Sequence, residues 1–277
     1  MATAPEPARE VYYRRFTRTE RIMHGMLFSS FLGLSLTGLP LLFSDQPWAQ
    51  GFASTVGVRA AGNVHRFFAV ILVATFAWHL FLIVERLFAK KDFGILWGPN
   101  SLVPQPRDVR EFVAHMRWFL HLGPRPRFDH FAYWQKFDYW AVFWGMGIIG
   151  GSGLMLWFPT FFARLLPGWV FNVATVIHGE EALLAVIFIF TIHFFNENLR
   201  PEKFPMDDVM FTGRVSAEEL RDERPGEWER LRAEGALAPL EVPAPSASLR
   251  RAGRIIGMTA ITLGLVLVSL TIYSLTR

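Results

Sequence analysis

The chain has 277 residues, 52% of them hydrophobic, with 27 Phe, 10 Trp and a formal net charge of +4. A soluble domain rarely carries so many large apolar side chains, and the mildly positive mean hydropathy fits apolar spans joined by long polar connections. There is no cysteine, which excludes disulfides, thiolate-bound zinc, iron–sulfur clusters and a covalently attached c-type haem within this chain.

In chain order, five stretches are long and apolar enough for about 30 Å of hydrocarbon: residues 22–43, 62–88, 137–158, 170–195 and 255–275. The third is stopped by Pro159. The expected fold is an all-α integral membrane protein, a four-helix transmembrane bundle followed by a fifth transmembrane helix. The organisation reads as a tail (1–21), a core (22–197) interrupted by a polar connection (89–136), a loop (198–253) and the fifth helix (254–277). The first span is no cleaved signal peptide, because it lacks a small-residue cleavage pattern and the chain re-enters the membrane four more times.

Basic residues sort the connections. Arg14, Arg15, Arg18 and Arg21 crowd the tail, and Arg and Lys recur through 86–136 and 200–251, whereas the other two connections carry few, Arg59 and Arg164. The positive-inside rule then puts the N-terminus in the cytoplasm and the C-terminus outside, in a bacterial-type inner membrane. Nothing in this pattern points to nucleic acid.

Within the connections, Val109, Phe112, Val113, Met116 and Phe119/Leu120 recur at helical spacing between Arg and Glu residues. They predict an amphipathic helix, either on the membrane surface or packed on the bundle ends. Ser216 followed by Glu219 forms a capping-box pattern, and residues 239–245 (PLEVPAP) read as a linker. His115, His121 and His130 fall in the polar connection and read as surface residues.

The chemistry lies in the other histidines. His65 and His79 stand fourteen positions apart in the second span, and His178 and His193 fifteen apart in the fourth. On an α-helix such pairs return to within about 40° and 60° of one face and stand about 21–23 Å apart. Two such helices side by side present facing imidazoles at two depths, an arrangement that suits axial ligation of two b-type haems. A single membrane histidine is more often a packing residue. Four at matched depth are costly in hydrocarbon and mark function. His24 opens the first span at about the depth of His193, so His24, His79 and His193 compete for two inner axial positions. Arg66 is a candidate propionate partner, and Glu180 or Glu181 a candidate support for the His178 imidazole. The run Lys136–Trp140 reads as an interfacial anchor or part of a quinone pocket. Glycines at 25, 33 and 38 and at 145, 147, 150, 151 and 153 allow close approach of helices or a flat macrocycle.

The alternative from another class is a haem-free transporter or proton channel using the histidines as a relay. It requires wet, broken helices, but Ala, Val, Ile, Leu and Phe surround these histidines.

The segment Glu20-Arg21-Ile22-Met23-His24, together with His65 and the His178/His193 pair, resembles the dihaem cytochrome b subunits of formate dehydrogenases, hydrogenases and thiosulfate reductases over about residues 14–210. The resemblance implies two haems b in a four-helix bundle, held by His65 with His178 on the outer side and His24 with His193 on the inner. It also implies a quinone site near the cytoplasmic haem, and electron exchange between quinone and a partner redox subunit carrying iron–sulfur clusters or a multihaem cytochrome c. Two features depart from the pattern: His79 is present, and the fourth-span pair is fifteen rather than about fourteen apart. On a uniform α-helix that extra residue turns His193 by about 100°, from His24 toward His79, so both inner pairings stay open. The fifth span is also additional to the usual four-helix core.

Overall fold

The computed structural model describes residues 10–276. Its five long apolar helices are Arg18–Leu42, Val58–Ala89, Tyr133–Trp157, Trp169–Leu199 and Ala247–Leu275. The first begins at a reciprocal cap: Glu20 Oε2 accepts from the Thr17 backbone N–H at 2.7 Å, and Thr17 Oγ1 accepts from the Glu20 N–H at 3.3 Å. A short helix, Pro47–Val56, with proline in its first turn, joins the first two spans. Large apolar side chains such as Phe67, Phe81 and Val176 are more than 60% exposed, as lipid-facing positions of a multi-pass membrane protein are.

The spans are not uniform α-helices. Five-residue π-helical turns occupy Glu85–Ala89, Met146–Gly150, Ile189–His193 and Phe195–Leu199. Each π turn widens the hydrogen-bonding period and takes up an extra residue, so the face presented beyond it shifts from the α-helical expectation.

The chain divides into two compact units. One comprises Ile22–Lys91, Asp138–Asp207 and Ile255–Arg277, the apolar part of the spans. Within it the fifth span meets the fourth closely: a Cβ on Gly264 would come within 2.6 Å of both Phe190 and Phe194, so glycine is what lets the helices approach. Trp48 Nε1 also donates to Ser274 Oγ at 3.0 Å.

The other unit gathers the tail, the second–third connection and the fourth–fifth connection: Met1–Arg21, Asp92–Phe137 and Asp208–Arg254. Its centre is a three-stranded antiparallel sheet, ordered β2-β1-β3. Here β1 is Tyr12–Arg14, β2 is Arg214–Ser216 and β3 is Glu241–Val242. Tyr13 pairs with Val215 on one side and Glu241 on the other. The strands depart from the sequence reading: the tail supplies the central strand, and the PLEVPAP segment supplies an edge rather than a plain linker. Two- and three-residue strands leave too little alternation to show as a pattern. Tyr13, Val209, Val215 and Leu220 form the small core, and Ser216 Oγ caps the helix Ala217–Glu223 by accepting from the Glu219 N–H at 3.2 Å.

Charge is also buried in this unit. Lys136 Nζ donates to both Asp108 oxygens at 2.8 and 2.9 Å, with the lysine side chain 1% exposed. Arg15 donates to Glu227 Oε2 at 2.6 Å, and His130 Nδ1 meets Glu227 Oε1. His130 is therefore no simple surface residue, and neither is His115, which stacks on Phe119 at 4.5 Å and bonds the Tyr133 hydroxyl at 3.1 Å. Long-range folding half-buries both, which local polarity does not reveal. Burial pushes the Glu227 carboxyl up, but the His130 hydrogen bond and the Arg15 charge outweigh it and hold the group at about 2. For His130, burial and then Arg15 favour the neutral ring, against the pull of Glu227. The cluster therefore carries Arg15 against Glu227 as its charges.

Glu227→Gln leaves the Arg15 charge without its counter-ion and is expected to destabilise this unit by about 3–5 kcal/mol. A depressed carboxyl stabilises the fold fully above its unfolded value of about 4.3 and loses that contribution as pH falls toward 2. Thermal unfolding from pH 2 to 6 checks both: the wild type loses stability across the acid window, and the Gln variant lacks that component.

Candidate functional site

Three spans, the first, second and fourth, bring the five intramembrane histidines into the apolar unit, at two levels. At the first level His65 of the second span faces His178 of the fourth, with ring centroids 6.3 Å apart and planes at 68°. Two imidazoles on one metal ion, with bonds of about 2 Å and ring radii of about 1.2 Å, have centroids about 6 Å apart. The observed spacing fits a shared axial metal.

The hydrogen bonds fix which nitrogen is available. His178 Nδ1 lies 3.0 Å from the Ile149 carbonyl, which only accepts, so Nδ1 carries the proton and Nε2 keeps its lone pair. Ser152 Oγ lies 3.3 Å from the same Nδ1 while donating its own proton to Ile148 O at 2.7 Å. His65 repeats the pattern. Its Nδ1 is 3.0 Å from Thr37 Oγ1, whose proton is committed to the Gly33 carbonyl at 2.7 Å, so Thr37 accepts and His65 Nε2 keeps its lone pair.

Two glycines make room for these rings. A Cβ on Gly153 would stand 3.0 Å from His178 Cε1, and one on Gly38 would stand 3.2 Å from His65 Cε1. The other glycines differ. Gly147 and Gly151 face open space, and Gly33 accommodates the Phe68 ring. The sequence shows glycine-rich spans, and only the structure separates the two beside the imidazoles from the rest.

At the second level His193 Nδ1 lies 2.9 Å from Asp138 Oδ2. The carboxylate accepts, so Nε2 again faces away as a free lone pair, and the bond fixes the ring's orientation. His24, on the first span, packs on Phe28 at 5.8 Å. His79 differs from the other hydrogen-bonded rings: its Nε2 is taken by the Tyr139 hydroxyl at 2.8 Å. It sits among Tyr139 and Phe143, with centroids at 5.5 and 6.1 Å.

The fifteen-residue interval in the fourth span has a physical explanation. Between His178 and His193 the helix is α only to Phe188, and the π turn Ile189–His193 takes up one residue. The 100° swing expected of a uniform α-helix is thereby absorbed, and the pair keeps the register of a fourteen-residue spacing.

Other expectations are placed differently. Arg66 reaches Asn63 Oδ1 at 3.5 Å and lies over the Trp157 ring at 5.9 Å. Glu181 accepts from Trp144 Nε1 at 3.1 Å, and the support under His178 comes from Ile149 and Ser152 instead. Of the Lys136–Trp140 run, Asp138 and Tyr139 each bond a histidine, so this segment holds imidazoles as well as aromatic bulk. Asp138 had a usable signal, as a carboxylate at the edge of an apolar span. Thr37 and Ser152 had none, since hydroxyls that bond back to their own helix are common in membrane spans.

No curated protein and no solved structure matches the chain. A family model described as prokaryotic cytochrome b561 matches residues 15–195, a stretch that contains all five intramembrane histidines. Paired imidazoles with free Nε2 atoms between apolar helices are what such a cytochrome requires, and the chain belongs to the prokaryotic cytochrome b561 family, the membrane-embedded b-type cytochromes of electron transfer.

Proposed function

We propose that this chain holds two haems b and carries electrons across the membrane between the quinone pool and a partner redox subunit. The observation that carries the reading is the His65–His178 pair, 6.3 Å between centroids, with both Nδ1 atoms engaged and both Nε2 atoms free. When bound, haem b supplies one-electron transfer at its iron. The residues of this chain do the rest.

His65 and His178 hold the first haem, with Thr37, Ser152 and the Ile149 carbonyl locking the ring tautomers. His24 and His193 hold the second. Asp138 orients His193 and enriches its ring, favouring the oxidised metal. The π turn at Ile189–His193 supports this inner pairing, because it restores the register that points His193 toward His24. His79 is assigned to Tyr139 rather than to iron, since its Nε2 is occupied. The excess of Arg and Lys in the tail and in the second–third and fourth–fifth connections supports a cytoplasmic side for these segments, with the C-terminus outside. Iron–sulfur clusters or a multihaem cytochrome c serving this route belong to the partner subunit, because this chain has no cysteine with which to hold them.

Pyridine haemochrome quantification on purified variants tests the ligand set. His65→Ala and His178→Ala are each expected to lose one haem of two, the same one by its spectrum and potential. His24→Ala is expected to lose the other, and His79→Ala to keep both. A His79→Ala variant that loses a haem while His24→Ala retains both would reverse the inner assignment.

The two glycines beside the rings give a second check. Gly153→Val drives its side chain into His178 and is expected to lower occupancy of the His65/His178 haem at least tenfold under limiting haem. Gly147→Val, facing open space, is expected to leave both haems in place. Equal loss in the two variants would mean that general helix packing, and not the imidazole, is what glycine serves.

A further inference from the structure

The helix Pro106–Phe119 is inside out by the standard of a water-exposed unit. Its acidic residue Asp108 is buried against Lys136, whereas Val109, Val113 and Leu120 are 64%, 51% and 68% exposed. At 100° per residue these three side chains fall within about 40° of one line, and Phe112 and Phe119 extend the stripe on one side. Arg110 and Arg117, both exposed, border it on the other.

Such a stripe is costly in water, at about 25 cal/mol for each Å² left wet. The chain itself indicates what covers it. The helix lies in the connection between the second and third spans, so the backbone on both sides of it enters the bilayer at the same face. The arginines border the stripe where lipid phosphates would lie, and long basic side chains reach that level while their stems stay in apolar surroundings. A second copy or a protein partner would have to bring its own counter-charges to Arg110 and Arg117. An anionic leaflet already has them.

We propose that the helix Pro106–Phe119 is an in-plane lipid-binding element, with Val109, Val113 and Leu120 in the upper acyl region and Arg110 and Arg117 on the phosphates of anionic lipids. This deploys the polar and apolar faces together: the same helix presents Asp108 to its own unit and the apolar stripe to the bilayer.

The native chain has no cysteine, so single labels can be placed without background. An environment-sensitive fluorophore at Val113→Cys would be compared with one at Val70→Cys in the second span and one at Arg221→Cys, whose side chain is 60% exposed. The holoprotein would be held at one copy per nanodisc of phosphatidylglycerol and phosphatidylcholine. The Val113 label is expected to be quenched by a shallow lipid-borne nitroxide several-fold more than the Arg221 label, and to resist aqueous iodide as the Val70 label does. Arg110→Glu with Arg117→Glu is expected to abolish any gain in that quenching when the anionic fraction rises. Iodide quenching at Val113 equal to that at Arg221 would overturn the proposal by showing a wet face. Protection from both quenchers would overturn it as well, by showing a protein cover. Lipid quenching that is indifferent to the anionic fraction in the native chain would remove the phosphate contacts from it.

Discussion

An imidazole inside a bilayer has one N–H to satisfy and one lone pair to offer, and the membrane unit is organised around that constraint. In three of the histidines the Nδ1 proton is consumed by an acceptor of the protein: Thr37 for His65, the Ile149 carbonyl for His178, Asp138 for His193. Each bond removes the cost of an unpaired donor in hydrocarbon and fixes the tautomer. Each also leaves Nε2 as the one unsatisfied polar atom of its ring. The bundle thereby presents bare lone pairs at two levels, which is a poor arrangement for an empty protein and a good one for a metal macrocycle.

The acceptors are not equivalent, and the difference bears on how electron-rich each ring is. A neutral carbonyl and a hydroxyl serve the His65/His178 level, while a carboxylate serves His193. Charge on the outer partner makes an imidazole more electron-rich and stabilises the oxidised metal. In the proposed dihaem arrangement, the level supported by Asp138 is the lower in potential by this effect. Burial, propionates and partner charges add their own contributions.

Much of this was legible in the chain. Five spans, the sorting of basic residues and the matched histidines follow from hydropathy and helical period, because membrane helices must satisfy their own backbone and cannot hide ionisable groups cheaply. What escaped the sequence was non-local or non-α. The π turn at Ile189–His193 carries no composition signature, so a uniform helix takes no account of it. Residues Tyr12–Arg14 form a central strand only because segments two hundred residues away supply its neighbours. His130 and His115 sit in polar sequence yet are drawn in by Glu227 and by an aromatic cluster. Glycine was visible everywhere in the first and third spans, but only Gly38 and Gly153 stand against the imidazoles.

In the proposed arrangement, imidazole nitrogens from opposite helices meet on one iron at each of two levels. Low-temperature electron paramagnetic resonance of the oxidised, purified holoprotein, with near-infrared magnetic circular dichroism to identify the axial atoms, tests it most directly. Two low-spin ferric species of equal spin count, both with bis-imidazole charge-transfer bands, are expected. A high-spin signal, a single low-spin species in a fully loaded preparation, or a phenolate band from Tyr139 would contradict that arrangement.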